Sequence, residues 1–492
     1  MLLKEKIKRG VAIILATTLA ISVAGCGGKK DPEPAQPADP STAKEVPDYS
    51  DSTARMNMYA YISPTNGYFT NSAGQQIFTG DHRSIETYQE YKDCGFDTLL
   101  LLGNDGYNGE KFETSQLKKN LDMCQEVGLK CIVFDLRIHD FSATQDTLIG
   151  EGKQFSSQEE LVAEVAKCMQ PYKDHPAFYG ISLFDEPRYN QLEAMGQTIR
   201  AIKAVKEDTF VHSVMLPLLE STTLDMLTGE QFGVATFDSY KTYIDTFLKL
   251  SQEDYVGYDS YPIKESGVLS SYFRNLQVAV DTAREYDADT YLTVQTCAIT
   301  GNLKMPTEEE IRFQTSSALA FGMKNIIYFT YWMFPTRTLE QFTGAIMSDK
   351  GEKMLYDEVQ RINQETQEMA KVLLHFDYEK AYITYDKETN IVAPIYFGAV
   401  ESKELDNVKE VKVSQATIMT QLHDDEKDIT GYMVMNASEP ENAVSDEVSV
   451  KFEGYKFATI YRKGVPETVG LADGVLELTI DCGDCAFVIP HN

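Results

Sequence analysis

The sequence has 492 residues, 43% of them hydrophobic. A chain of this length is too long for one hydrophobic core, so we predict at least two folded domains. Its formal net charge is −30, from 45 basic and 75 acidic residues. This charge argues against nucleic acid or an anionic membrane surface as a partner, since both are bound by clustered basic side chains.

The first 25 residues have the pattern of an export signal. Basic residues precede an apolar stretch, Val11 to Val23, that is too short to span a bilayer comfortably. The following Val-Ala-Gly-Cys resembles the bacterial lipoprotein signal, which implies cleavage before Cys26 and lipidation of its sulfur. We therefore expect a protein held on the extracytoplasmic face of the cell membrane by a lipid anchor. The alternative is an ordinary secretory signal with an incidental cysteine.

Residues 26–55 contain Asp-Pro-Glu-Pro-Ala-Gln-Pro-Ala-Asp-Pro and offer almost nothing to bury. A segment of this composition is typical of an extended, disordered tether.

From residue 56 to 376 short apolar strands alternate with amphipathic helices. The predicted strands are Met58–Ile62, Thr98–Leu102, Cys131–Leu136, Tyr179–Phe184, Phe210–Leu216, Val256–Tyr261, Tyr291–Val294 and Ile326–Trp332. Eight strand–helix units in about 320 residues predict an α/β fold of the (β/α)8 TIM barrel type. A doubly wound sheet would instead show a Gly-rich phosphate loop after an early strand, and the sequence has none.

The pattern changes over residues 377–492, where short alternating runs are separated by Gly, Asn, Asp and Pro turns. This spacing predicts a C-terminal all-β domain of the sandwich type.

The eight cysteines do not suggest a disulfide framework. Apart from Cys26, most lie in apolar periodic segments, where a free thiol behaves as a small hydrophobic group. Cys482 and Cys485 form a lone CxxC without a nearby histidine, which favours a turn over a zinc site. We predict no structural metal and no cofactor.

In a (β/α)8 barrel the reactive side chains lie at the carboxyl ends of the strands. The residues at these ends are Asp185 and Glu186 on the fourth strand, Asp259 and Tyr261 on the sixth, Gln295 on the seventh, and Tyr331 and Trp332 on the eighth.

Carboxyl groups beside an indole ring suggest a carbohydrate partner. Glycosidic cleavage needs an acid to protonate the leaving oxygen, and Glu186 fits that role. Trp332, the one tryptophan of the chain, would offer a flat apolar ring to a sugar face, although packing in a core is the common alternative.

Three motifs then match a known family in order and spacing. They are His-Pro…Asp-Glu-Pro ending at Pro187, Asp-Ser-Tyr-Pro ending at Pro262, and the Tyr-Trp pair ending at Trp332. The barrel resembles the clan-A glycoside hydrolases, including the family forty-two β-galactosidases. The resemblance implies that Glu186 is the acid/base, that Asp185 binds the 2-hydroxyl of the sugar, and that Trp332 is a stacking platform.

One position departs from that family. The clan places a nucleophilic Glu at the end of the seventh strand, where this sequence has Gln295, and a neutral amide cannot form a covalent glycosyl intermediate. Either Asp259 activates a water in an inverting mechanism, or a 2-acetamido group of the substrate attacks with help from Asp185 and Gln295, or the barrel binds sugar without cleaving it.

Further polar residues follow the second and third strands. Asn104 stands in a Gly-rich loop that would line the cleft, whereas Asp135 and Arg137 either contact substrate or form an ion pair at the rim. A solute-binding lipoprotein would share the export signal, but that class has two doubly wound lobes, which the single run of eight units disfavours.

Overall fold

The computed structural model describes residues 35–44, 47–64, 66–70, 75–335, 340–386, 397 and 399–492, except for the side chains of residues 70 and 104. Residues 37–492 form one compact unit. The predicted signal segment and Cys26 lie outside the described residues. Within the described ranges, no helix is both long and apolar enough to cross a membrane.

Eight parallel strands build the first part of the unit, with neighbours in the order β1-β8-β7-β6-β5-β4-β3-β2. They are β1 (Asn57–Ala60), β2 (Thr98–Leu100), β3 (Lys130–Val133), β4 (Phe178–Asp185), β5 (Phe210–Met215), β6 (Tyr255–Asp259), β7 (Asp289–Gln295) and β8 (Asn325–Phe329). The N–H of Asp97 donates to the carbonyl of Met58 at 3.0 Å, which draws β2 towards β1 and nearly closes the sheet. The predicted (β/α)8 barrel is confirmed.

Helices surround these strands, and several of them begin at a side-chain cap. They are α1 (Ile85–Asp93), α2 (Gln116–Val127), α3 (Leu136–Ser142), α4 (Gln158–Met169), α5 (Leu192–Val205), α6 (Leu224–Thr228), α7 (Phe237–Ser251), α8 (Tyr272–Arg284), α9 (Glu308–Ala320) and α10 (Tyr356–Leu373). At the start of α9 the Thr307 side chain accepts from the N–H of Glu310, and the Glu310 side chain accepts from the N–H of Thr307, which forms a capping box.

Large side chains fill the barrel interior rather than leaving a pore. Tyr59, Leu100, Val214 and Tyr291 belong to one buried cluster formed by inward-pointing residues of different strands. Gly257 on β6 leaves room for the ring of Tyr291, since a Cβ at this position would lie 1.6 Å from a ring carbon.

Several strands end earlier than predicted, and the third and eighth do so by three residues. The third strand stops at Val133, and α3 begins at Leu136 because the Asp135 side chain caps it by accepting from the N–H of Arg137. The eighth strand stops at Phe329. The residues that follow instead bond to the segment after β1, with the N–H of Trp332 donating to the carbonyl of Ile62 at 3.0 Å.

The C-terminal part is an antiparallel sandwich, as predicted. Its strands are β9 (Asp377–Thr384), β10 (Val408–Val413), β11 (Thr417–Asp424), β12 (Ile429–Asn436), β13 (Asp446–Phe452), β14 (Phe457–Arg462), β15 (Val465–Gly470), β16 (Val475–Ile480) and β17 (Cys485–His491). A six-stranded sheet (β9-β11-β12-β17-β14-β15) faces a three-stranded one (β10-β13-β16). Val434, Val450 and Leu478 are among the residues that pack between the sheets.

The described part of the expected tether packs against the sandwich. Tyr49 is 5% exposed, and its hydroxyl donates to Oδ2 of Asp424 at 2.8 Å. The ammonium of Lys427 lies 3.6 Å from the centre of the same ring. This anchoring by one aromatic residue differs from the extended, disordered segment that the composition suggests.

Candidate active site

Glu186 lies at a sharp bend where β4 leaves the barrel. Its φ is +51°, in the left-handed region that residues with a Cβ rarely adopt. The N–H of Glu186 donates to the carbonyl of Val214 on β5 at 2.7 Å, and the hydroxyl of Tyr243 donates to the carbonyl of Pro187. The main chain on both sides of the bend is therefore bonded to neighbouring elements, which fixes the direction of the Glu186 side chain.

A bulge in β4 precedes this bend. The register against β5 shifts between Ser182 and Phe184, and this shift leaves the carbonyl of Leu183 outside the ladder. Nδ1 of His139 lies 2.7 Å from that carbonyl oxygen, so the proton of the ring is on Nδ1 in this contact. The Ser142 hydroxyl donates to the same oxygen at 3.3 Å. Helix α3 thus stabilises the bulge, and the two acids that follow it point to the barrel mouth.

Asp185, Glu186 and Asp259 form a group of three carboxyls at this mouth. Asp185 and Glu186 are exposed to solvent, whereas Asp259 is 8% exposed. Protein packed around Glu186 raises the pKa of its carboxyl to about 7, with further contributions from the charges of Asp185 and Glu340. Burial, followed by the charges of Glu186 and Asp185, raises the pKa of Asp259 well above its ordinary value. The group therefore retains a proton near neutral pH.

Two tyrosines complete the mouth around these acids. The hydroxyl of Tyr61 donates to Oδ1 of Asp185 at 2.9 Å. Surrounding protein raises the pKa of Asp185, and this hydrogen bond opposes the rise. The ring of Tyr261 is partly buried and stacks on Phe329 with centroids 5.1 Å apart. Oδ1 of Asp259 is buried and has no hydrogen-bond partner among the described residues.

Gln295 is at the end of β7, as predicted, but no part of it is exposed. Its Oε1 accepts from the N–H of Ile263 at 3.1 Å. Its Nε2 donates to the carbonyls of Ile263 at 3.0 Å, Cys297 at 3.2 Å and Lys304 at 2.8 Å. The amide therefore joins the loops after β6 and β7, and it presents no surface to a substrate in this structure.

The aromatic pair after β8 divides between two layers. Tyr331 is 0% exposed and packs edge-on against Tyr91 of α1, with centroids 4.8 Å apart, so it faces the helices. Trp332 is 2% exposed, and His82 covers its ring with centroids 4.2 Å apart. Nε1 of Trp332 has no partner in the described part of the chain. The two ring centroids are 6.1 Å apart, but Tyr331 packs on α1 whereas Trp332 lies beneath His82, so the two rings have different surroundings.

Asp135 and Arg137 form an ion pair, which is one of the two arrangements that the sequence allows. Arg137 Nη2 lies 2.6 Å from Oδ2 of Asp135, and the hydroxyl of Tyr172 donates to the same oxygen at 2.8 Å. Asp135 is 0% exposed, so substrate does not reach it in this structure. The side chain of Asn104 is outside the described residues.

Glu340 is a carboxylate at the site that the sequence analysis missed. It precedes a short strand, Phe342–Gly344, that pairs antiparallel with Ala298–Ile299 just after β7. The N–H of Thr300 also donates to the carbonyl of Gln341 at 3.0 Å. This pairing brings Glu340 close enough for its charge to raise the pKa of both Glu186 and Cys297. An acid in the loop after the last strand was the available signal, but the pairing is not visible in the sequence.

An exposed, proton-retaining glutamic acid on β4, inside a group of carboxyls and aromatic rings, is the type of site by which (β/α)8 glycoside hydrolases act. Comparison with known sequences points to the same class. The model of the family Glyco_hydro_42, described as Beta-galactosidase, matches residues 190–369, a range that begins just after Glu186. No curated protein matches the sequence.

Solved structures with the same architecture are glycoside hydrolases. A glycoside hydrolase family 5 protein from Bacteroides vulgatus ATCC 8482 is 10% identical over 89% of each chain, with a TM-score of 0.51. A β-galactosidase from the psychrophilic Marinomonas ef1 is 15% identical over 58% of this chain and 57% of its own, with a TM-score of 0.35. At these identities the likeness concerns the fold alone. The resemblance predicted from the three motifs is confirmed, and the family match supports a glycoside hydrolase.

Proposed function

We propose that this protein is a lipid-anchored, exported glycoside hydrolase in which Glu186 is the general acid. The observation that carries the proposal is the exposed carboxyl of Glu186 at the end of β4, with a pKa raised to about 7. A carboxyl that keeps its proton near neutral pH can donate it to the glycosidic oxygen as the bond to the leaving group breaks.

Asp185 and Asp259 have distinct proposed roles beside this acid. Asp185 is ionised, and the oxygen that Tyr61 does not bind accepts a hydrogen bond from a sugar hydroxyl. Asp259 is the second catalytic carboxyl: in its ionised form it accepts a proton from water as the water attacks the anomeric carbon. Ionisation of Asp259 is favoured once a neighbouring acid has lost its charge, because the charges of Glu186 and Asp185 oppose it.

Tyr261 and Trp332 are the proposed aromatic contacts of the sugar. Tyr261 is partly exposed and already lies in the group. Trp332 becomes a platform only when His82 moves from its ring. Since the matching family is described as Beta-galactosidase, β-D-galactosides are the first substrates to test.

The decisive experiment compares wild type with Glu186→Gln on two aryl β-galactosides. Phenyl β-galactoside has a poor leaving group that needs a proton, whereas 2,4-dinitrophenyl β-galactoside has a good one that does not. We expect the variant to lose about 10²–10⁴-fold in kcat/KM on the phenyl substrate and far less on the dinitrophenyl substrate. Equal losses of kcat/KM on both substrates would show that Glu186 is not the general acid.

Glu253 supplies a matched control. Burial raises the pKa of Glu253 to about 7 as well, but it precedes β6 and is at the opposite end of the barrel. Glu253→Gln should therefore leave the ratio of the kcat/KM values on the two substrates unchanged. A panel of other aryl glycosides extends the test if β-galactosides are not cleaved.

A glycan-binding barrel without hydrolysis is the second candidate, and Gln295 is the observation that favours it. An amide with its donors bonded to three main-chain carbonyls stands where the related hydrolases have a nucleophilic glutamate. Under this alternative, wild type and Glu186→Gln bind oligosaccharides equally in calorimetry and neither cleaves any substrate of the panel.

The lipid anchor is proposed from the sequence alone. Expression of the full chain in a bacterial host with a radiolabelled fatty acid should label wild type and leave Cys26→Ser unlabelled. Labelling of the Cys26→Ser variant, or recovery of unlabelled wild type in the medium, would reject lipidation at Cys26.

A further inference from the structure

A chain of three hydrogen bonds connects the barrel interior to Asp185. Oη of Tyr59 lies 2.9 Å from Nδ1 of His212, and Nε2 of His212 lies 3.1 Å from Oη of Tyr61. The Tyr61 hydroxyl in turn reaches Oδ1 of Asp185 at 2.9 Å. Tyr59, His212 and Tyr61 are 0%, 1% and 5% exposed, so water does not compete with the two contacts among these three residues.

The protonation state of Asp185 sets the direction of every bond in this chain. Burial lowers the pKa of His212 to about 3, so the ring is neutral and carries one proton. An ionised Asp185 only accepts, so Tyr61 donates to it and accepts from Nε2–H of His212. Nδ1 is then an acceptor, and Tyr59 donates to it. Only a protonated Asp185 can donate to Tyr61, and that donation would reverse all three bonds and move the ring proton to Nδ1.

We propose that Tyr59, His212 and Tyr61 are positioning residues that hold Asp185 ionised and, through its charge, keep the catalytic proton on Glu186. The proposal rests on the proposed function and deepens it. It assigns a task to His212, which otherwise would be a polar group in the middle of an apolar barrel.

The other groups that face the two acids do not stabilise the charge of Asp185. Asp259 and Tyr261 approach from β6, Tyr243 from α7, and Glu340 from the loop after β8. These groups are acidic or phenolic, and no cation among the described residues contributes to the pKa shift of Asp185. In the described structure Tyr61 supplies the one side-chain hydrogen bond to Asp185. Loss of that bond therefore lets Asp185 take up a proton, and Glu186 then loses a neighbouring negative charge.

The first test is the pH profile of the Tyr61→Phe variant on phenyl β-galactoside. Activity that depends on protonated Glu186 falls as pH rises through its pKa. We expect Tyr61→Phe to move this basic limb to lower pH by about one unit, because removal of one charge at this range has that size of effect. Tyr88→Phe is the control. It also removes a buried hydroxyl, which has no hydrogen-bond partner among the described residues, and it should leave the basic limb in place.

The second test does not need activity. Selective 15N-histidine labelling of the full chain gives signals from seven rings, and His212→Gln identifies the signal of His212 by its loss. At neutral pH we expect His212 to be the Nε2–H tautomer in wild type. In Tyr61→Phe, where Nε2–H has lost its acceptor, we expect the Nδ1–H tautomer that donates to Tyr59.

The pH profile and the tautomer of His212 together distinguish failure of the proposed hydrogen-bond chain from failure of the proposed hydrolase function. An Nδ1–H tautomer in wild type would overturn the proposal whether or not the protein is active. An active wild type whose basic limb and His212 tautomer both survive Tyr61→Phe would overturn it as well. If wild type cleaves no glycoside, the hydrolase function fails, and the tautomer alone decides whether the chain is oriented by an ionised Asp185.

Discussion

Gln295 and Ile263 exchange two hydrogen bonds, one from the Ile263 N–H to Oε1 and one from Nε2 to the Ile263 carbonyl. The side chain thereby imitates a strand partner for the loop after β6. This arrangement gives the glutamine a structural task at the position where related barrels place a nucleophile. It also explains why a single substitution is not expected to restore the family's mechanism.

Gln295→Glu should destabilise the protein and should not create a retaining hydrolase. One oxygen of the new carboxylate could still accept from the N–H of Ile263, but the other would face the carbonyls of Ile263, Cys297 and Lys304, in a position that is 0% exposed. We expect a loss of about 3–5 kcal/mol in the free energy of unfolding, as for other uncompensated buried charges. Urea unfolding at pH 8 measures it. A stable variant that gains activity with retention at the anomeric carbon would contradict the structural role.

The sequence predicts the position of Glu186 but not the environment of Gln295, and the reason is physical. A strand end follows from apolar periodicity and from Pro187, which are local properties. Whether a side chain there turns to the mouth or into a loop depends on contacts with distant segments. The carbonyl of Lys304, which holds Gln295, belongs to such a segment, and so does the short strand that brings in Glu340.

The aromatic residues show the same limit. Tyr331 packs against Tyr91 of α1, a contact with a distant segment that the local sequence pattern does not show. The cover on Trp332 was not predictable, because His82 precedes α1 and meets the ring only in the folded barrel. Likewise, composition indicates disorder near Tyr49, but one buried ring is sufficient to dock that segment on the sandwich.

Glu340→Gln separates two roles of this acid. If Glu340 acts only through its charge, its removal lowers the pKa of Glu186 and shifts the basic limb of kcat/KM to lower pH, with little change in the maximum. Glu207→Gln, an exposed acid in the loop before β5, is the control for a change in net charge. A loss of about 10²-fold or more at every pH would instead make Glu340, rather than Asp259, the second catalytic carboxyl.

Protein stability should also report the raised pKa of Glu186. The folded pKa of about 7 exceeds the ordinary value of 4.5, so between these values the folded state holds a proton that the unfolded state has lost. Stability from this group is therefore present below pH 4.5 and is lost as pH rises to 7. We expect Glu186→Gln to be more stable than wild type at pH 8 and equally stable at pH 4 in urea unfolding.

Glu253→Gln provides the comparison for that measurement. The pKa of Glu253 is also raised to about 7 by burial, so its stability difference should have the same pH dependence while activity is retained. The contrary result would be that Glu186→Gln loses stability relative to wild type when the pH is raised from 4 to 8. That result would show that the carboxyl of Glu186 is ionised in the folded protein.

Trp332 is the one tryptophan of the chain, so its emission reports directly on the proposed platform. Because the ring is 2% exposed beneath His82, we expect weak quenching by acrylamide in wild type and stronger quenching in His82→Ala. His423→Ala, a change on the sandwich, should leave quenching as in wild type.

Sugar binding then decides whether the uncovered ring is used. Methyl β-galactoside should protect Trp332 from acrylamide in His82→Ala and bind this variant more tightly than wild type, because the histidine no longer has to be displaced. Since stacking on an aromatic face contributes about 0.5–1.5 kcal/mol, a several-fold change in Kd is expected. Unchanged quenching at saturating sugar, with binding shown by calorimetry, would place the sugar against Tyr261 and away from Trp332.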